Sequence, residues 1–185
     1  MTEMINVSMN EDEWKKRKNN GILYEALIKE EKQTVIQLCK QFPEGALHIL
    51  TVHKDTVLHM AAYAQLGDLT KKLLDDVPDV HLDKMTRQNH IGNTVLHEAA
   101  TSSDVALAEA VLQIAPGLLG MINHDGETAL FRAVRYGKTK VFRFLSEKIS
   151  TYDPDSQQAF LQNKDKTTIL HAAVQVKRFG EFHLL

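Results

Sequence analysis

Thr94-Val95-Leu96-His97-Glu98-Ala99-Ala100 decides the fold, because the same phrase returns along the chain. It is preceded by Thr56-Val57-Leu58-His59-Met60-Ala61-Ala62. It is followed by Thr128-Ala129-Leu130-Phe131-Arg132-Ala133-Val134 and Thr168-Ile169-Leu170-His171-Ala172-Ala173-Val174. Gly21-Ile22-Leu23-Tyr24-Glu25-Ala26-Leu27 is a degenerate first copy. The fourth positions (Tyr24, His59, His97, Phe131 and His171) are 35, 38, 34 and 40 residues apart. Self-similarity at this period signals an array of short helical units, none of which can bury its apolar face alone.

Each position has a physical role. Thr56, Thr94, Thr128 and Thr168 are placed as N-caps, their hydroxyls accepting an amide at the start of a helix. The paired alanines let that helix approach its neighbours closely. A second helix follows at helical spacing in each unit. Its apolar face is Val35, Leu38 and Cys39, then Leu69, Leu73 and Leu74, then Leu107, Val111 and Leu112. The last is Val141, Phe142, Leu145 and Ile149. Gly92 and Gly126, with Asn89-His90, Asn123-His124-Asp125 and Asn163-Lys164-Asp165-Lys166, read as turns.

Composition closes off other classes. Lys plus Arg number 22 against 24 Asp plus Glu, so no overall basicity argues for nucleic acid as a partner. The single cysteine, Cys39, excludes an internal disulfide framework and fits a reducing compartment, as a buried inert thiol. The N-terminus has no apolar stretch behind a basic start, so no secretory signal is visible. The apolar-biased run near Ala110 to Ile122 falls far short of the ~20 residues of a spanning helix. Three of the nine histidines (His59, His97 and His171) recur once per unit and read as structural groups bonding the local threonine and backbone. The others show no paired metal-ligand spacing. His97-Glu98 lacks the second histidine of a metalloprotease helix, and no phosphate-binding or nucleophile-elbow motif occurs. No catalytic constellation can be assembled, so neither an enzyme nor a cofactor is expected.

The repeated phrase matches the T-P-L-H-x-A signature, and the chain resembles the ankyrin-repeat family over roughly residues 20–185. The resemblance implies an all-α solenoid of helix-turn-helix units whose turns project as short β-hairpin fingers. Where the family has proline after the threonine, Val57, Val95, Ala129 and Ile169 stand here. Some rigidity is lost at the helix start, but no hydrogen bond. The expected organisation is a polar segment over 1–18 and repeats over 19–53, 54–90, 91–125 and 126–166, with an incomplete one over 167–185. Ser8 and Glu11 are spaced as a capping box for a short polar helix ahead of the first repeat, with Trp14 packing it down. The run Lys15-Lys16-Arg17-Lys18 has an alternative reading as a nuclear-import signal. The long connectors Asp75 to His90 and Ser150 to Asn163 are expected on one face, often the binding face in solenoids. The chain closes on Val174, Val176, Phe179, Phe182, Leu184 and Leu185, without the polar cap of an array end. This suggests truncation and a last unit that frays.

Gly92 to Ala100, Gly126 to Gly137 and the connector ending Asn163-Lys164-Asp165-Lys166-Thr167 are also similar to one plant subset of ankyrin proteins. Its longer members carry a C-terminal Pro-Gly-Gly membrane domain and act in defence and stress signalling. No membrane region is present here, so insertion by this chain itself is not expected. The resemblance implies a non-catalytic module binding protein partners, a scaffold or adaptor in the cytoplasm. Its alternative is the cytosolic arm, or a truncated form, of a plasma-membrane signalling protein. Candidate contacts on the finger and first-helix face are Gln88, Asn89 and His90; Glu98, Thr101 and Ser102; His124 and Glu127; Arg132, Arg135 and Tyr136. Arg132, Arg135, Lys138 and Lys140 with Tyr136 form a basic, aromatic cluster that reads either as a solvated face or as a seat for an acidic partner segment.

Overall fold

The computed structural model describes residues 11–176. First and second helices alternate: α1 (Glu11–Ile28) with α2 (Lys32–Cys39), α3 (Val57–Tyr63) with α4 (Gly67–Asp75) and α5 (Val95–Ala99) with α6 (Val105–Ile114). Then come α7 (Ala129–Arg135) with α8 (Thr139–Ile149), a short α9 (Pro154–Gln158) and α10 (Ile169–Gln175). The first helices α3, α5, α7 and α10 stack on one another, and so do α4, α6 and α8, giving two helical layers. The repeated positions explain the stacking. Leu58, Leu96 and Leu130 are fully or almost fully buried, as are Ala61, Ala99, Ala133 and Ala173. Val57, Val95, Ala129 and Ile169 open their helices directly after the threonine caps, as expected of sites where only proline's rigidity is missing.

The turn from first to second helix is a left-handed stop. Gln65 N–H bonds the Ala62 carbonyl and Leu66 N–H that of Ala61, with Gln65 at φ 59°. Glu30 and Gly137 occupy the same position with the same bond pattern. The third unit differs: α5 ends early, and Asp104 caps α6 through the Leu107 amide.

Between each second helix and the following finger lies a short 3-10 or helical segment: Gly45–Leu47, Asp79–Thr86, Pro116–Gly120 and α9. They bury Leu47, Met85 and Leu118, and Phe160 is buried just after α9. The long connector of the second repeat reaches the finger face only at its last residues, Gln88 to His90. It folds back onto the preceding unit, where Lys84 and Arg87 pair with Glu44 and Arg87 also donates to the Leu47 carbonyl at 2.6 Å. These partners, Arg87 first, hold the Glu44 carboxyl down to about 2.

Two further expectations are corrected. The polar segment and the first repeat share α1, which runs unbroken from Glu11 across residues 18 and 19. Asn20 on α1 donates to the carbonyls of Ile49 and Leu50 and bonds His48 at 2.8 Å, tying the helix to the first finger's approach. Trp14 does not pack the helix down: it is half exposed, with Lys18 Nζ 5.2 Å from its ring centroid. Ser8 and Phe179 to Leu185 lie outside the described residues.

At α10 the pattern of burial changes. Leu170 is 44% exposed and Val174 57%, whereas Leu96 and Ala100 at the equivalent positions are fully buried. Amides of 169–175 should therefore exchange faster than those of 105–114 by roughly two orders of magnitude or more, because local opening there exposes little extra apolar surface. Equal protection of the two segments in a hydrogen-exchange time course would refute this.

Candidate functional site

The fingers are built from one repeated hydrogen-bond device. Asn89 Oδ1 accepts the amides of Ile91 and Asn93. Asn123 does the same for Asp125 and Glu127, and Asn163 for Asp165 and Thr167. In the first finger Thr51 Oγ1 takes the amides of His53 and Asp55. Each asparagine amide also bonds the carbonyl four residues on, closing the loop. Two isolated bridges, Ile49 with Thr56 and Gln162 with Thr168, are the extended pairing among the described residues, so the fingers are closed turns rather than laddered hairpins. Neighbouring fingers are strung together by backbone: His90 N–H to the His53 carbonyl at 2.7 Å and His124 N–H to that of Ile91 at 3.1 Å.

Beneath the fingers the threonine–histidine pairs lock one repeat to the next. Thr94 Oγ1 lies 2.8 Å from His97 Nδ1, which accepts the Thr94 amide at 3.1 Å. Nε2 of the same ring faces the Glu127 carbonyl at 2.9 Å and therefore carries the proton. His59 repeats this with Thr56 and the Asn93 carbonyl. His171 holds Thr168 and is exposed. In the fourth unit Phe131 replaces the histidine, and Thr128 Oγ1 donates to the Phe160 carbonyl instead.

Burial pushes the His97 imidazole down to about 4 and lowers His59 as well. The unfolded chain then binds more protons than the folded one between about pH 4 and the ordinary histidine range. Stability contributed by neutral His97 is present above pH 6.5 and is lost as pH falls toward 4, by about 3 kcal/mol at most. His97→Phe, which copies Phe131, should flatten this acid limb in urea titrations run from pH 7.5 to 4.5. An unchanged slope would show that His97 is not the group responsible.

The structure divides the eleven candidate contacts. Asn89, Glu98, Thr101, Ser102, Glu127 and Arg132 are buried, each 9% exposed or less, so they are not surface for a partner. Most of their polar atoms are used internally, while Glu98 Oε2, Glu127 Oε1 and Arg132 Nε make no hydrogen bond. Asn89 Nδ2 donates to Asp55 at 2.8 Å, Asn93 Nδ2 to Glu98 at 2.6 Å, and Asn123 Nδ2 to Asn93 at 3.0 Å. Thr101 and Ser102 hydroxyls donate back to the carbonyls of Glu98 and Ala99. Arg132 Nη2 lies 3.6 Å from Glu98 Oε2, and Arg135 pairs with Glu127. Burial raises the Glu98 carboxyl, opposed by Arg132 and Asn93.

Gln88, His90, His124, Arg135 and Tyr136 are left at least partly open, although Gln88 also ties its finger to the next through the Gly92 and Ile122 carbonyls. Sequence reasoning missed Tyr63, which is 65% exposed at the first-helix position equivalent to Arg135. It also missed His53, whose ring centroid is 5.9 Å from that of His90. Both were legible as repeat-equivalent positions, since such residues line up across the stack. Cys39 is buried, with its thiol pushed up to about 12 mainly by burial. Among the described residues no group of three or more His, Cys, Asp or Glu is placed to hold a metal ion. Also among them, no helix is long and apolar enough to cross a membrane.

What this geometry offers chemically is a stiff row of fingers and first helices with exposed imidazole, phenol and guanidinium groups. Comparison with known proteins agrees with that picture. The family model for ankyrin repeats, in three copies, matches residues 58–158. A search of curated proteins finds no match. Arrays of these repeats are typically non-catalytic protein–protein interaction modules, and this chain belongs to the ankyrin-repeat family.

Proposed function

We propose that the chain is a scaffold or adaptor in plant stress or defence signalling, and that it seats a protein partner across its fingers and first helices. The observation that carries the binding face is the cross-repeat lock. His59 and His97 each bridge to a carbonyl of the following unit, so the exposed groups above them are held in fixed register before any partner arrives. Such preorganisation keeps the ordering cost of binding low. The signalling context is supported by the similarity of Gly92 to Ala100 and Gly126 to Gly137 to the plant subset of the family.

The test is a paired affinity capture from plant tissue extract with the wild type and with Arg135→Ala/Tyr136→Ala. Loss of specific prey from the double variant, at unchanged helicity, is the expected outcome. Identical prey on both baits would remove this face from the reading, and prey unrelated to signalling would remove the pathway.

The second reading is the cytosolic arm, or a truncated form, of a membrane-anchored ankyrin signalling protein. Exposure of Leu170 and Val174, at positions that neighbouring units cover elsewhere in the stack, is what favours it. Intact masses of the endogenous protein from soluble and membrane fractions separate the two. A heavier membrane species supports the second, and a soluble species near 20.9 kDa as the sole form removes its membrane-arm version.

A further inference from the structure

From Thr128 to Ser146 the sequence contains Arg132, Arg135, Lys138, Lys140 and Arg143 and no acidic residue. The fold treats these cations unequally. Arg132 and Arg135 are matched by the buried carboxylates of Glu98 and Glu127, which fix the two guanidinium groups in place. Among the described residues, no ion pair involves Lys138 or Lys140. Both lysines line a depression of about 300 Å³ between the third and fourth repeats, with Ser103 across it from the preceding unit. Tyr136, half exposed, precedes them and carries the Arg132 guanidinium 5.0 Å from its ring centroid.

We infer that this junction is a seat for an acidic peptide segment of a protein partner. Its carboxylates would face Lys138, Lys140 and the free edge of Arg135, and its backbone would lie against Tyr136. The inference rests on the interaction-module reading and gives that module a partner chemistry. Charge complementarity selects the occupant: the positive surface is one inter-repeat junction wide on a chain of net charge −2. A long polyanion such as duplex nucleic acid or an anionic bilayer would be repelled by the remainder of the molecule. A short segment meets only the local field, which is screened beyond about 10 Å at 0.1 M salt.

The probe is a fluorescein-labelled peptide alternating Glu and Ser over about ten residues, roughly 30 Å when extended. Its control is the Gln-for-Glu peptide. Fluorescence anisotropy with the whole chain should show binding of the acidic peptide alone, weakened at least about tenfold by Lys138→Glu/Lys140→Glu and by raised salt. Lys138→Gln/Lys140→Gln is the second variant should charge reversal disturb folding, and thermal melts check both. Equal affinity for wild type and variant, equal affinity for both peptides, or no binding at millimolar peptide would each overturn the inference. So would tighter binding of duplex DNA or phosphatidylserine vesicles than of the peptide. If the lysine variants still capture every prey protein that wild type captures, the acidic seat fails while the interaction-module reading stands. Loss of capture by Arg135→Ala/Tyr136→Ala would keep that reading.

Discussion

Gly92→Val should lower the melting temperature by about 10 °C, equivalent to about 3 kcal/mol or more for a domain of this size. The cause is double. Gly92 sits at φ +81°, where a β-branched residue is strained by about 1–2 kcal/mol. A Cβ built there would also lie 2.5 Å from the His124 backbone nitrogen and 2.6 Å from its ring. Backbone cannot yield as a side-chain tip would, so relief must come from opening the contact between adjacent fingers. Gly126 has the same geometry toward Lys164, and Gly126→Val should behave alike. The corresponding position in the outer fingers is held by Lys54 and Lys166, at φ 62° and 60°. Lys166→Gly should therefore be neutral or stabilising by a few tenths of a kcal/mol. A Gly92→Val protein melting within 2 °C of wild type (roughly 1 kcal/mol here) would show that the fingers are not in register as described.

Arg132→Met should cost about 3 kcal/mol at neutral pH, because it leaves Glu98 buried beside Asn93 without its cation. The sign of the pH effect distinguishes this from a simple packing loss. An acid whose folded pKa is raised takes a proton in the folded state before the unfolded one does. Its penalty therefore shrinks as pH falls through that raised value toward the ordinary carboxylate range. Removing the arginine pushes Glu98 further up. The gap between Arg132→Met and wild type should therefore narrow as pH falls from neutral toward the ordinary carboxylate range, while the loss from His97, shared by both proteins, drops out of the difference. Arg132→Met/Glu98→Leu should recover part of the stability, since an apolar pair avoids the desolvated charge. A pH-independent gap with no recovery in the double variant would assign the loss to packing alone.

The repeat architecture was legible because its determinants are local. A threonine cap, a leucine two residues on and a buried alanine five residues on recur in four copies, and each acts within one or two helical turns. What was not legible travels between repeats. The bond from His97 to the Glu127 carbonyl spans 30 residues, so no spacing rule within one unit reveals it. Asn89, Glu98 and Arg132 carry side chains usually found in water, and they read as surface. They are buried because each finds a partner on a neighbouring finger or helix: Asp55, Asn93 and Glu98, respectively. The exposed part of the candidate site was partly readable. His90, His124, Arg135 and Tyr136 follow from finger-tip and helix-end positions, and Tyr63 follows once the repeats are superposed.

The most direct test of the account is a hydrogen-exchange footprint of the chain with a captured partner. Protection is predicted at 88–92, 122–126 and 132–140, over the fingers and the first-helix ends, with α4 and α6 unchanged. Protection concentrated on α4 and α6, with the fingers unaffected, would contradict the assignment of the binding face.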